Sequence, residues 1–198
     1  MFDLGWIPTR AKVIDLSADA RWELTHEKYS ERHLCCGKKF VYGLAELQPS
    51  IIRKAHFVAN PGCFATAIQL ALLPLANQGK LHEEVHVSAI TGSTGAGAHL
   101  SSTTHFSWRS NNASIYKAFT HQHLGEIRAS ISSLQSKVPN IHFIPMRGAF
   151  TRGILAACYQ KIDVPEQEIK EWFHAYYSEA PFIHISEPTR QHWISYAV

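Results

Sequence analysis

The chain has 198 residues, 45% of them hydrophobic and 18% charged, which gives a globular protein with a sizeable buried core and excludes a disordered chain. Its net charge of +3 is too weak to imply nucleic acid, and it holds no run of about 18 apolar residues to span a membrane. The opening Met1-Phe2-Asp3-Leu4-Gly5-Trp6 lacks a secretory leader's basic-then-apolar pattern, and Cys35, Cys36, Cys63 and Cys158 show no metal or disulfide spacing, so reduced thiols in a cytoplasm fit best.

Ala11 to Leu16 reads as a strand that ends in a polar loop, Ser17 to Arg21. Residues 22 to 50 are loop-rich, with turn signals at Gly37 and Gly43. His56 to Ala59 reads as a short buried strand. The residues after it, Asn60-Pro61-Gly62-Cys63-Phe64-Ala65-Thr66, form the most informative stretch. Asn60 precedes a proline and is pushed toward extended geometry. Gly62 allows close backbone approach. Ile68, Leu70, Leu72 and Leu73 then recur with helical spacing, and Pro74 is expected to kink or shorten that helix. The order is therefore strand, tight turn, cysteine, helix.

Val85 to Ile90 alternates and reads as a strand, followed by the glycine-rich Thr91 to Gly97 and a polar segment to about 120. His123 to Lys137 carries Leu124, Ile127, Ile131 and Leu134 at helical spacing. Ile141 to Pro145 and Gly153 to Ile162 read as strands. Asp163 with Glu166 resembles a capping box, with Pro165 in the first turn of a helix to about Tyr177. No internal repeat or low-complexity segment is present.

Three groups of residues carry chemistry. Cys63 falls at the first position of an apolar helix, where the helix end favours negative charge and a thiolate nucleophile; a small buried hydrophobe is the plain alternative. His121 and His123, with Glu126 one turn after His123, fit a general base held by a carboxylate, or a surface histidine pair. No third ligand suggests a metal. Arg21, Arg147 and Arg152 suit a carboxylate or phosphate, although any one arginine is by default a solvated surface residue. The Gly92, Ser93, Thr94, Gly95, Ala96, Gly97 loop follows a strand but precedes no helical period. It is thus not a primary phosphate cradle, and it reads either as a plain turn or as a loop passing against a ligand.

Val13 to Arg21, Tyr42-Gly43-Leu44, Asn60 to Thr66, Gly92 to Gly97, Tyr116 to His123 with Glu126, and Pro145-Met146 with Arg152-Gly153-Ile154 resemble, in order, the N-acetyl-gamma-glutamyl-phosphate reductase family of arginine biosynthesis. That family is similar to the aspartate-semialdehyde and glyceraldehyde-phosphate dehydrogenases. The resemblance implies NADPH-dependent reduction of an acyl phosphate to an aldehyde. Cys63 would form a thioester, with helix-start amides holding the oxyanion. His123, oriented by Glu126, would move the proton, with His121 as the alternative. Arg152, Arg21 and Asn60 would bind substrate, and Gly92 to Gly97 would border the NADP.

The resemblance also implies an α/β remnant of a Rossmann-type domain over 1–80, ending at the cysteine helix. An α+β domain with a mixed, mainly antiparallel sheet would follow over 81–198, for substrate binding and homo-oligomer contacts. The family's opening strand and Gly-rich turn find no match before Val13. Ala98 is neutral where the family is commonly basic, and Glu187 to Val198 does not match the family's last stretch. The expectation is a family member lacking both ends. Two other readings stay open: an inactive assembly module, and a cofactor-free Cys63–His123 hydrolase or acyltransferase.

Overall fold

A computed structural model describes residues 10–22, 40–97, 99 and 101–186. Cys35, Cys36, the turn expected at Gly37, Ala98 and the tail from Glu187 lie outside the described residues. The chain divides into two compact units, 1–163 and 164–198.

In the first unit, strands β1 (Val13–Asp15), β2 (Val41–Tyr42) and β3 (Phe57–Ala59) form a parallel sheet in the order β1-β3-β2. Their carboxyl ends are level, since Ala59 pairs with both Asp15 and Tyr42. This matters because ligands of parallel sheets sit outside those ends. A small core of Ala20, Phe40 and Ala59 packs with Val13 and Phe57. The polar stretch after β1 is not a plain loop: Asp19–Trp22 forms a helical turn, α1. Asp15 organises its approach by accepting from Ser17 N at 2.9 Å and Ser17 Oγ at 2.8 Å. Pro49 opens a short helix, α2 (Pro49–Lys54).

Helix α3 (Cys63–Asn77) contains Pro74, where a kink or shortening was expected, and ends three residues after it. Pro74 is buried beside Leu72, Leu73 and Ala76, whose packing holds the last turn. Strands β4 (Glu84–Thr91), β5 (Ser114–Ile115), β6 (Asn140–Arg147) and β7 (Ile154–Tyr159) form the second sheet, in the order β5-β6-β4-β7. The β4–β6 pair is parallel, and β4–β7 and β5–β6 are antiparallel, the mixed and mainly antiparallel sheet that was expected.

Between β4 and β5 the polar segment holds a short helix, α4 (Phe106–Arg109). Helix α5 (His123–Ser132) stops five residues short of the expected Lys137, because the chain turns down toward β6. One core unites α3 (Phe64, Ile68, Leu72), α5 (Leu124, Ile127, Ile131), β4 (Val85, Val87) and β6 (Ile141, Phe143). Each such buried aliphatic or aromatic side chain contributes roughly 1.5–3 kcal/mol.

The opposite sheet face bears the alternate residues. Ile115 pairs with Met146, Met146 with Ile90, and Ile90 with Leu155, an apolar row across all four strands. Its two ends, Ile115 and Leu155, are 60% and 70% exposed. The second unit contains α6 (Glu166–Tyr176), where Pro165 is itself the N-cap and no side chain caps the helix. The expected Asp163 capping box is therefore absent, because the chain is still extended at Pro165.

Candidate active site

Cys63 is exposed and is the first residue of α3. The helical ladder begins with Thr66 N–H donating to Gly62 O at 2.8 Å. The N–H groups of Cys63, Phe64 and Ala65 therefore precede it and have no carbonyl within the helix, as at any helix start. These amides are placed to receive an oxyanion on a group bound to Cys63. The other described cysteine, Cys158, is half-buried on β7, and burial pushes its thiol up to about 11. Of the two described cysteines, Cys63 is the one that combines exposure with a helix start.

The turn before Cys63 is held by one buried carboxylate. Glu126 Oε2 accepts from Gly62 N at 2.9 Å and from the Tyr42 hydroxyl at 2.9 Å. Its Oε1 accepts from Arg21 Nη1 at 3.2 Å. Tyr42 in turn accepts from Gln69 Nε2 on α3 at 2.8 Å, and Gln69 also donates to Ala65 O at 2.9 Å. Burial, and then the charge of Glu126, hold the Tyr42 hydroxyl far above the ordinary tyrosine range, so it remains a donor. Glu126 thus ties α5 to the carboxyl ends of the first sheet and to the cysteine turn.

This changes the expected part of Glu126. Its nearest oxygen is 3.9 Å from His123 Nε2, beyond hydrogen-bond reach, and its other contacts fill it. Nε2 of His123 instead lies against the α-carbon of Gly62, where an added Cβ would overlap it. His121 and His123 are packed together, their ring centroids 4.6 Å apart, and His121 Nδ1 accepts from His123 N at 3.3 Å. Both sit against Phe64. Burial lowers each imidazole to about 4, with His123 as a further cause for His121 and Arg21 for His123. Both are neutral at pH 7, the form that accepts a proton.

The three residues expected to bind substrate differ in how free they are. Arg21 directs Nε to Ser17 O at 2.8 Å, Nη2 to Leu16 O at 3.5 Å and Nη1 to Glu126, so its fork is engaged within the protein. Asn60 is exposed at the turn, and its backbone N–H is bound by Asp15 O at 2.8 Å. Arg152 is exposed just before β7.

The Gly92–Gly97 loop is fastened to the residues before β7: Gly92 N bonds Gly153 O at 3.0 Å, Ser93 N bonds Phe150 O at 2.9 Å and Thr94 N bonds Thr151 O at 3.2 Å. Those amides are committed, and they do not form a pyrophosphate cradle. Gly97, at φ +76°, faces open space, so the loop leaves room for a group alongside it. Among the described residues this is the extent of the fit to a nicotinamide cofactor.

Tyr116 was not singled out as a site residue by the sequence, and Arg147 was named there only among the arginines suited to an anion. Tyr116 packs edge-on against His121 at 5.7 Å, and Arg147 Cζ lies 4.8 Å over the Tyr116 ring. Burial raises the Tyr116 hydroxyl, the Arg147 guanidinium lowers it, and a negative charge on Cys63 raises it. Tyr116 therefore lies within electrostatic reach of the thiol. Neither a spacing nor a motif in the sequence could have given this. Among the described residues no group of three or more His, Cys, Asp or Glu could hold a metal ion, and no helix is long and apolar enough to cross a membrane.

The family model of the semialdehyde dehydrogenase dimerisation domain matches residues 63–197. N-acetyl-gamma-glutamyl-phosphate reductase of Azobacteroides pseudotrichonymphae is 49% identical over 181 residues, covering 91% of this chain and 52% of that protein. The enzyme of the same name from Bacteroides thetaiotaomicron is 49% identical over 180 residues, with 90% and 52% covered. The chain thus spans about half the length of the curated relatives it matches. The crystal structure of aspartate semialdehyde dehydrogenase II complexed with ASA from Vibrio cholerae superposes with a TM-score of 0.53 at 15% identity, covering 81% of this chain and 52% of that one. This likeness supports the α/β plus α+β fold.

Proposed function

The chain belongs to the semialdehyde dehydrogenase dimerisation-domain family, and we propose that it is the catalytic portion of an enzyme that reduces N-acetyl-gamma-glutamyl phosphate to N-acetylglutamate semialdehyde, in the arginine biosynthesis of a cytoplasm. The observation that carries this reading is an exposed Cys63 at the start of α3, beside a neutral His123, in a chain 49% identical to a reductase of that name.

Cys63 Sγ attacks the acyl carbon. The new carbon–sulfur bond replaces the bond to the phosphoryl oxygen, and phosphate leaves. The oxyanion formed on the way is met by the N–H groups at the start of α3. His123 takes the thiol proton and returns one to the substrate oxygen, with His121 as the alternative base. NADPH, bordered by Gly92, Ser93, Thr94, Gly95, Ala96 and Gly97, would supply the hydride that the thioester carbon takes up, and breaking of the carbon–sulfur bond then frees the aldehyde and returns the Cys63 thiol. Arg152 and Asn60, both exposed, receive the substrate's anionic groups. Residues 1–80 would form the partial nucleotide-binding domain and 81–198 the substrate-binding and dimerisation domain, whose outer sheet face would join copies in a homo-oligomer.

The test is NADPH oxidation by the enzyme that contains this chain, with N-acetyl-gamma-glutamyl phosphate as substrate. The reading expects stoichiometric phosphate release, and oxidation without phosphate release would overturn it. The engaged amides of Gly92, Ser93 and Thr94 favour a second reading, an assembly module that binds no cofactor by itself. Saturable NADPH binding to the isolated 198-residue chain would exclude that reading.

A further inference from the structure

Glu126 is 6% exposed, and its carboxylate grips the N–H of the residue directly before Cys63. A carboxylate left alone in that place would oppose a second negative charge on the neighbouring sulfur. Arg21 is the cation that meets it, at 3.2 Å. We propose that Arg21 is a positioning residue whose charge offsets Glu126, so that Glu126 can clamp the Gly62 turn without suppressing the thiolate at Cys63. This rests on the reading of Cys63 as nucleophile.

Among the described residues, the groups that face this turn come from several elements. Arg21 comes from α1, Tyr42 from β2, Glu126 and His123 from α5, and His121 and Tyr116 from the residues before α5. The histidines are neutral at pH 7, and Tyr42 and Tyr116 keep their protons. Lys117 binds Gln122 Oε1 at 3.1 Å on the exposed side, and Arg147 lies beyond the Tyr116 ring. Among the described residues, Arg21 and Glu126 are thus the charged pair that contacts the turn itself. The same pairing explains why the Arg21 fork points inward to Ser17 O, Leu16 O and Glu126 rather than outward to a ligand.

The experiment measures iodoacetamide alkylation of Cys63 against pH in the intact chain, resolved by peptide mass spectrometry, with circular dichroism as the folding check. Arg21→Gln leaves the carboxylate uncompensated and should raise the midpoint by about one pH unit. Glu126→Gln leaves the guanidinium unopposed and should lower it. Shifts in the same direction, or no shift in either folded variant, would overturn the proposal, because a packing role or a substrate-binding role predicts one of those results. Should the neutralising variants fail to fold, Arg21→Lys decides. It keeps the charge and loses the fork, so the midpoint should stay within about a quarter of a unit, and a movement of one unit overturns the proposal. Failure of the nucleophile reading would show separately, as turnover by the whole enzyme surviving full alkylation of Cys63.

Discussion

The Tyr42 hydroxyl donates to Glu126 Oε2 at 2.9 Å, a contact between residues 84 apart in sequence. The same oxygen receives Gly62 N–H, so a strand of the first sheet, the cysteine turn and a helix over the second sheet share one acceptor.

Replacing the nucleophile should separate chemistry from folding. Cys63 is exposed, so Cys63→Ala leaves no cavity in the core. In the full-length enzyme it should abolish turnover while the melting temperature stays within a degree or two. A variant retaining more than a few per cent of the rate would remove Cys63 from the mechanism. His123→Asn should slow turnover far more than His121→Asn, because His123 Nε2 faces the turn. The reverse order would assign the base to His121.

Gly62 has no room for a side chain. A Cβ there would overlap His123 Nε2 and come within 2.7 Å of Arg21 Nη1. Its φ of −67° is open to any residue, so the restriction is packing rather than backbone. Gly62→Ala should therefore lower the stability of the intact chain by about 1–3 kcal/mol, as overpacking does. Urea unfolding measures this, and an unchanged midpoint would mean that the turn has slack.

Acid should weaken the fold through the two histidines. Their folded values lie near 4, below the ordinary 6.5, so below pH 6.5 the unfolded chain binds more protons. Their contribution to stability is fully present above pH 6.5, is lost as pH falls toward 4, and changes little below that. The melting temperature should drop from pH 7 to pH 5, and by less in a His121→Gln/His123→Gln variant. An equal drop in both proteins would place the acid sensitivity elsewhere.

The row Ile115, Met146, Ile90 and Leu155 is an apolar stripe on the outer sheet face. Leu155→Arg puts a charge at its exposed end. If that face joins copies of the chain, sedimentation should show a shift toward monomer with an unchanged circular dichroism spectrum. A variant that sediments like the parent would move the interface to another surface.

The order of strand, turn, cysteine and helix was legible in the sequence because it rests on local rules: the restriction imposed by Pro61, the small Gly62, and the apolar period that follows. Strands β4, β6 and β7 were legible for the same reason, since alternation along β4 needs no knowledge of its partners, whereas the two-residue β5 inside the polar segment was missed because only its pairing with β6 makes it a strand. Helix ends were less so. Pro74 stays helical and Pro165 becomes a cap because packing and chain direction override residue preference.

What the sequence determined by itself was therefore the kinds of element and the place of the thiol along the chain. The tertiary structure alone decided what Glu126 and Arg21 do. It paired them with each other across 105 residues, and it gave Glu126 to Gly62 and Tyr42 rather than to His123. It also buried both imidazoles, set Arg147 over the Tyr116 ring and brought Tyr116 within electrostatic reach of Cys63. A side chain's charge state and partners depend on which distant groups share its low-dielectric surroundings, and that is a property of the packed fold.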